Sequence, residues 1–147
     1  MQNIGFYIYG IFIGALGGIH IPINGAFGAR IGSALVATWV FFGVAFVLSS
    51  VAMVIDWNRP AIQSLSSVPV WFYLAGAISV IVVSGGTFLI PKIGAVNLFV
   101  LVLSSQLISR SVISHFGLLE SPVTPINVVR VIGFLFLIVG AVLVVKR

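Results

Sequence analysis

The sequence contains no cysteine and only two acidic residues, Asp56 and Glu120. The absence of thiols excludes disulfides, thiolate metal sites and cysteine nucleophiles. Both acids lie in polar stretches between apolar segments, so no carboxylate falls within an apolar run. Because intramembrane carboxylates mark many ion and proton pathways, this absence disfavours a cation exchanger driven by a buried Asp or Glu.

Charged residues are scarce altogether. They make up 6% of the chain, against roughly a quarter in an ordinary soluble domain. Hydrophobic residues make up 61%, and the mean hydropathy is +1.30. These values indicate an integral membrane protein. The seven Lys and Arg are scattered singly along the chain, so the net charge of +5 is interpreted as membrane anchoring, with no nucleic acid as a partner.

Five apolar segments are long enough to cross a hydrocarbon core of about 30 Å, which needs about 20 helical residues. They are predicted at residues 4–26, 33–55, 70–90, 93–113 and 128–145. Only Pro91 and Lys92 separate the third from the fourth, which predicts a tight helical hairpin. Backbone groups in lipid must bond within such segments, so the fold class is all-α. The sequence predicts a single polytopic membrane domain over residues 1–147. Its first span lacks a preceding basic region and is expected to be retained.

An odd number of spans places the termini on opposite faces of the membrane. One face receives four basic residues: Arg30, Lys92, Lys146 and Arg147. The other face receives three: Arg59, Arg110 and Arg130. The positive-inside rule thus favours a cytoplasmic C-terminus by one charge only. Because the two faces carry nearly equal numbers of basic residues, the chain is expected to insert in both orientations. We therefore consider an antiparallel dimer, in which each chain is half of an inverted-repeat transporter.

The first span carries two polar side chains that need a partner or a function. His20 and Asn24 are four residues apart and share a helix face. Between them, Pro22 cannot donate to the carbonyl of Gly18, so a kink or local unwinding is expected. Alternatively, the span ends near Ile23 and His20 lies at the interface. If transport is coupled to protons, His20 is the suited intramembrane group, since histidine changes charge near neutral pH.

The fourth span carries polar residues on several faces. Asn97 and Ser104 share one face, Gln106 lies about 180° from Asn97, and Arg110 follows Gln106 by four residues. Amides either bond a neighbouring helix or line a cavity. Arg110 either attracts an anion or extends to the interface. The candidate substrate-binding residues of the chain are His20, Asn24, Asn97, Gln106 and Arg110.

Small residues predict close helix packing at two places. Gly10, Gly14 and Gly18 form a doubled GxxxG pattern in the first span, within the chain or between chains. Residues 84–86, Ser-Gly-Gly, form a notch in the third span. By contrast, the chain has no HExxH, no GxSxG and no phosphate-binding glycine loop. We therefore expect no enzyme activity, no cofactor and no metal.

Two stretches resemble a known family. IHIPINGAFGARIGSALVATWVFFGVA and PKIGAVNLFVLVLSSQLISRSVISHFGLLESP are similar to runs of the YdcZ-type inner-membrane exporters of bacteria, the single-repeat branch of the drug/metabolite transporter superfamily. The resemblance covers nearly the whole chain. The matching positions are Asn24, Gly43, Pro91, Gly94, Gln106, Leu107, His115, Phe116 and Gly117. The chain departs from the family pattern at four positions. The family has Gln where this chain has His20 and Gly where it has Ser105. It has a small residue in place of Arg110 and Asp in place of Ser114.

The resemblance implies a five-helix transporter fold in the bacterial inner membrane. Relatives with ten helices consist of two inverted copies, which implies a dimer here, with an identical chain or a sister protein. The function expected is secondary export of a small metabolite or drug-like compound by alternating access. In this interpretation His20 and Asn24 face a central cavity, with Gln106 opposite. The alternatives are a non-transporting membrane subunit and a channel, although scattered polar positions argue against a channel.

Overall fold

The computed structural model describes residues 4–146, which contain helices and no strand. The α-helices are α1 (Ile4–Ile31), α2 (Ala34–Ile55), α3 (Arg59–Ser64), α4 (Leu74–Ile93), α5 (Ala95–Phe116) and α6 (Val128–Val145). Short 3₁₀ turns occupy Leu65–Ser67, Val70–Tyr73 and Leu118–Glu120. Five helices are long and apolar enough to cross a membrane, the third of them spanning Val70–Ile93. The predicted all-α fold with five membrane helices is confirmed.

The first helix is longer than predicted. It continues through Pro22 to Ile31, so the local unwinding expected at Pro22 is absent and the helix does not end near Ile23. A single missing hydrogen bond to the Gly18 carbonyl leaves the other helical bonds in place, which is enough to continue the helix. Arg30 lies in the last turn, where a cation interacts favourably with the negative end of the helix dipole.

Side-chain caps fix two other helix starts close to the predicted positions. Ser33 caps α2 by accepting a hydrogen bond from the Val36 amide at 3.3 Å. Asn127 caps α6 by accepting one from the Arg130 amide at 2.9 Å. Each cap satisfies an amide that the first helical turn leaves unbonded. The predicted span 128–145 agrees with α6.

The connection between α4 and α5 differs from the prediction. Pro91 and Lys92 belong to α4, and Gly94 alone separates the two helices along the chain. Gly94 adopts φ 81° and ψ 155°, a backbone conformation that only glycine readily adopts. The break is therefore set by glycine and not by proline, whose ring is tolerated within the last turn of α4.

The described chain divides into two compact units that meet in sequence between Lys92 and Ile93. In the first unit, α1 packs against α2 and buried residues of α1, α2 and α4 form the core: Asn24, Gly25, Gly28, Ala37, Thr38, Val83, Gly86 and Thr87. In the second, α5 packs against α6. A single domain over residues 1–147 stays a prediction, and Arg147, counted above as an anchor, lies outside the described residues.

Candidate functional site

A buried polar pair joins α1 to α4 in the first unit. The Asn24 Nδ2 donates a hydrogen bond of 2.7 Å to the Thr87 Oγ1, and the two residues are 5% and 1% exposed. Each residue alone would be a buried polar group without a partner, which is costly. Together they satisfy each other and fix which face of α1 meets α4. Asn24 was predicted as a site residue from the sequence, and Thr87 was not.

Two glycines allow the helices to approach closely around this pair. A Cβ added at Gly25 would lie 2.8 Å from the Ile90 Cγ2, and one at Gly28 would lie 2.9 Å from the Thr87 Cγ2. Both distances are shorter than a side-chain contact allows, so glycine is required there. The predicted GxxxG face is different: at Gly10, Gly14 and Gly18 an added Cβ meets no described atom of this unit within 4 Å. Those glycines make no close helix contact within the unit.

A cavity of about 400 Å³ opens between α1 and α2, and Asn24 is one of its lining residues. Its walls are apolar apart from two side chains, and its lining residues are His20, Ile23, Asn24, Phe27, Val40, Phe41, Val44, Ala45 and Leu48. The His20 ring stacks on the Phe41 ring, with 5.8 Å between ring centroids and 28° between planes. The structure thus brings His20 and Asn24 into one cavity, as the four-residue spacing predicts.

Two side-chain oxygens of the first unit, on Asn24 and Ser84, have no hydrogen-bond partner in the described chain. Asn24 donates to Thr87, whereas its Oδ1 has no hydrogen-bond donor among residues 4–146. The Ser84 Oγ, one turn before Thr87 on α4, is buried and has no partner among the same residues. Other helical serines bond a carbonyl of the preceding turn, as Ser79 does with Ala75 at 2.8 Å. Of Asn24 and Ser84, only Asn24 lines the His20 cavity, so its Oδ1 is an acceptor available to a ligand there.

The candidates on α5 are arranged differently. The Asn97 Nδ2 donates to the Ile93 carbonyl of its own helix at 2.9 Å, which uses its donor within the backbone. Gln106 is half-buried and forms no side-chain hydrogen bond with a residue in the described range. Neither residue lines the cavity beside His20. Their role in substrate binding, and the predicted pairing of Gln106 with Asn24, stay predictions.

Arg110 lines a second cavity of about 400 Å³, which lies between α5 and α6 within the second unit. Its lining residues are Leu107, Arg110, Ser111, Ser114, Thr124, Arg130, Gly133, Phe134 and Leu137. The sequence singled out Arg110 but treated Arg130 only as a charge at a helix end. Two cationic side chains in one cavity give it a chemistry distinct from that of the apolar cavity at His20.

The family-like segment around His115 has a structural role. The His115 Nδ1 accepts a hydrogen bond of 3.0 Å from the Ile126 amide, and the Thr124 amide donates to the Ser114 carbonyl at 2.9 Å. Gly117 ends α5 with φ 62°. These contacts fold residues 118–127 back onto the end of α5. No group of three or more metal-ligating side chains occurs among the described residues.

Thr87 is the site residue that sequence reasoning missed. The signal was present, because a hydroxyl inside an apolar segment needs a partner as much as an amide does. It follows directly on residues 84–86, which were interpreted as a packing notch. Gly86 is indeed buried in the structure, while an added Cβ at Gly85 meets no atom of this unit within 4 Å.

Comparison with known proteins returned one finding. The protein-family model described as "Putative inner membrane exporter, YdcZ" matches residues 5–143. Searches of curated proteins and of solved structures returned no match.

Proposed function

The chain belongs to the YdcZ family of inner membrane exporters, and we propose that it is a secondary transporter that exports a small metabolite or drug-like compound. Membership of an exporter family agrees with a protein that is not an enzyme, and with a location in the inner membrane. The five membrane helices agree with the resemblance predicted from the sequence. The substrate, the mechanism and the assembly belong to the proposal.

One observation carries the proposed binding site: Asn24 stands between the apolar cavity and the α1–α4 contact. Its Nδ2 is fixed by Thr87, while its Oδ1 remains able to accept a hydrogen bond. Small-molecule sites are concave and mainly apolar, with a few polar groups that orient the ligand. The His20 cavity has this composition. A partly apolar compound with one hydrogen-bond donor fits its chemistry.

In the proposed alternating-access cycle, α1 and α4 move together as one rigid element. Alternating access requires helices that move as rigid bodies around a central site. The pair Asn24–Thr87 and the close approach at Gly25 and Gly28 hold α1 against α4 through one polar bond and small residues. In this proposal Asn97, Gln106 and Arg110 contribute to the substrate path. The second set of five helices comes from an identical chain or a sister chain, antiparallel to the first.

Substrate binding can be tested by thermal unfolding of the detergent-solubilised chain against a panel of small metabolites and drug-like compounds. A compound that raises the melting temperature is then followed into proteoliposomes as a labelled transport substrate. His20→Leu and Asn24→Ala should each abolish both signals. Ser79→Ala, which removes an exposed hydroxyl bonded to its own helix, is the matched control. Unchanged binding and transport in both site variants would disprove this site.

Assembly requires a separate experiment. A transporter of the proposed kind forms a dimer of five-helix chains, whereas an accessory subunit depends on a different, larger protein. Reporters on the C-terminus would show which membrane face each copy presents, and cross-linking would count chains. Two orientations with dimeric cross-links support one chain supplying both halves. A chain that is unstable until another protein is co-expressed would instead support the non-transporting subunit.

A further inference from the structure

The cavity between α5 and α6 collects positive charge without a compensating acid. Arg110 and Arg130 both line it, and no Asp or Glu does. Neither arginine forms an ion pair with a carboxylate within the described part of the chain. Two cationic side chains that line one cavity without a neighbouring carboxylate favour an anion there.

The two arginines are held differently. The Arg130 Nη1 donates to the Thr124 carbonyl at 3.2 Å, which positions this guanidinium at the end of the cavity near the 118–127 segment. Arg110 has no hydrogen bond to any residue between 4 and 146. Arg130 is thus preplaced, whereas Arg110 keeps all its donors for a ligand. A planar guanidinium offers paired donors that match phosphate oxygens.

Hydroxyl groups complete the polar end. Ser114 and Thr124 line the cavity, and neither hydroxyl has a hydrogen-bond partner in the described chain. Ser111 differs, because its hydroxyl donates to the Leu107 carbonyl at 2.8 Å. The carbonyl of Ser114, which would repel an anion, already accepts the Thr124 amide. The polar end therefore presents donors and few free acceptors.

The opposite end of the cavity is apolar. The residues on α5 are Leu107, Arg110, Ser111 and Ser114, and those on α6 are Arg130, Gly133, Phe134 and Leu137. Each set follows the spacing of one helix face. Leu107 and Leu137 lie farthest from the 118–127 segment on their helices, and Ser114 and Arg130 lie nearest. The cavity therefore has a polar end at Ser114 and Arg130, Arg110 lies one turn deeper along α5, and the apolar walls at Leu107 and Leu137 lie deepest.

From this arrangement we propose that the α5–α6 cavity is a binding site for a phosphate group that carries an apolar chain. Arg110, Arg130, Ser114 and Thr124 bind the phosphate, and Leu107, Phe134 and Leu137 contact the chain. Basic pockets between membrane helices have the chemistry that recognises anionic lipid headgroups. The same groups would bind a soluble amphiphilic phosphate. The inference shares Arg110 with the proposed substrate path, but it does not depend on the His20 cavity, which Arg110 does not line.

The test is ligand-induced thermal stabilisation of the full chain in delipidated, uncharged detergent. The probes are phosphatidylglycerol, dodecyl phosphate, inorganic phosphate and diacylglycerol, the last having chains but no phosphate. We expect phosphatidylglycerol and dodecyl phosphate to raise the melting temperature of the native protein. Arg110→Gln and Arg130→Gln should each raise the half-saturating concentration about tenfold, as expected for loss of a charge-assisted contact. Arg59→Gln, on α3, removes the same charge elsewhere and should change nothing.

The probes separate the two sources of phosphate. A stronger response to phosphatidylglycerol than to dodecyl phosphate identifies a lipid, and an arginine-dependent response to inorganic phosphate identifies a soluble ligand. Arg110→Lys keeps the charge without the planar fork and should weaken binding less than Arg110→Gln. The melting temperature without ligand reports whether each variant is folded. An equal response to diacylglycerol, no response to any phosphate, or equal losses in Arg59→Gln would each overturn the proposal.

Discussion

The carboxamide of Asn24 on α1 and the hydroxyl of Thr87 on α4 form a buried hydrogen bond of 2.7 Å across 63 residues of sequence. Both partners are buried, and the bond joins two membrane helices. In lipid, apolar surface gives no preference for one helix neighbour over another, so such bonds and close packing define which faces meet. This pair therefore defines how α1 and α4 associate.

Removing either partner should destabilise the protein, and removing both should cost less than the sum. Asn24→Leu leaves the Thr87 hydroxyl unpaired, and Thr87→Val leaves the Asn24 amide unpaired. We expect a coupling free energy of about 0.5–1.5 kcal/mol in a double-mutant cycle, similar to the couplings measured between membrane helices, which average about 0.6 kcal/mol. The measurement is thermal or denaturant unfolding in detergent of the four proteins.

Thr38→Val is the matched control for this cycle. Thr38 is 2% exposed, and its hydroxyl donates to the Ala34 carbonyl of its own helix at 2.8 Å. It should show no coupling to Asn24→Leu. Additive effects of Asn24→Leu and Thr87→Val would contradict the role given to the pair.

Gly28→Ala should separate α1 from α4. The added Cβ would lie 2.9 Å from the Thr87 Cγ2 and 3.3 Å from the Ala34 Cα, which is backbone and cannot rotate away. We expect a loss of about 1–3 kcal/mol in the free energy of unfolding, as for overpacking of a tight contact. Gly18→Ala lies on the same helix with no described atom of this unit nearby. It should have little effect or stabilise slightly, because alanine favours helix. Equal losses in both variants would refute close packing at Gly28.

The sequence predicted the membrane fold well because its signals are local. Apolar length defines a span, and α6 follows Asn127, a cap that the sequence displays. The ends of the first and third spans, near Pro22 and Pro91, were predicted less well. Proline weakens a helix locally, but the rest of the helical bonds in an apolar environment keep it intact. Glycine at position 94, with its left-handed φ, was the actual break.

The site was predictable only in part, for a different reason. The four-residue spacing of His20 and Asn24 is a property of one helix, and the shared cavity follows from it. The contact between Asn24 and Thr87 depends on how two helices distant in sequence pack, which periodicity does not encode. The role proposed for Arg130 likewise depends on Arg110, a residue of another helix that lines the same cavity. Pairing between helices is thus the information that the sequence alone lacks.

Gly94→Ala should destabilise the connection between α4 and α5. At φ 81° and ψ 155° an alanine is strained whatever the surrounding space. The expected cost is about 1–3 kcal/mol, measured by unfolding in detergent. Gly76→Ala, at a position within α4 with no described atom of its unit near the added Cβ, is the control and should not destabilise. If Gly94→Ala were as stable as Gly76→Ala, the connection would have another backbone conformation.

The hydrogen bond from the Ile126 amide to the His115 Nδ1, at 3.0 Å, should control the order of residues 118–127. The imidazole nitrogen is the only side-chain acceptor that this amide has among residues 4–146. His115→Ala removes the acceptor and leaves the amide unbonded, so hydrogen exchange at Ile126 should accelerate about tenfold, the equivalent of one lost bond. Mass spectrometry of the exchanged protein measures this directly.

The matched variant for this last prediction is His115→Asn, because an Asn Oδ1 occupies nearly the position of the His Nδ1. It should preserve the slow exchange at Ile126 that His115→Ala loses. The Thr124 amide, which bonds the Ser114 carbonyl and not the imidazole, should stay protected in both variants and serves as an internal reference. Fast exchange at Thr124 as well as Ile126 in His115→Ala would mean that the segment opens as one unit. Since Thr124 also lines the Arg110 cavity, His115→Ala would then weaken phosphate binding there without removing any charge.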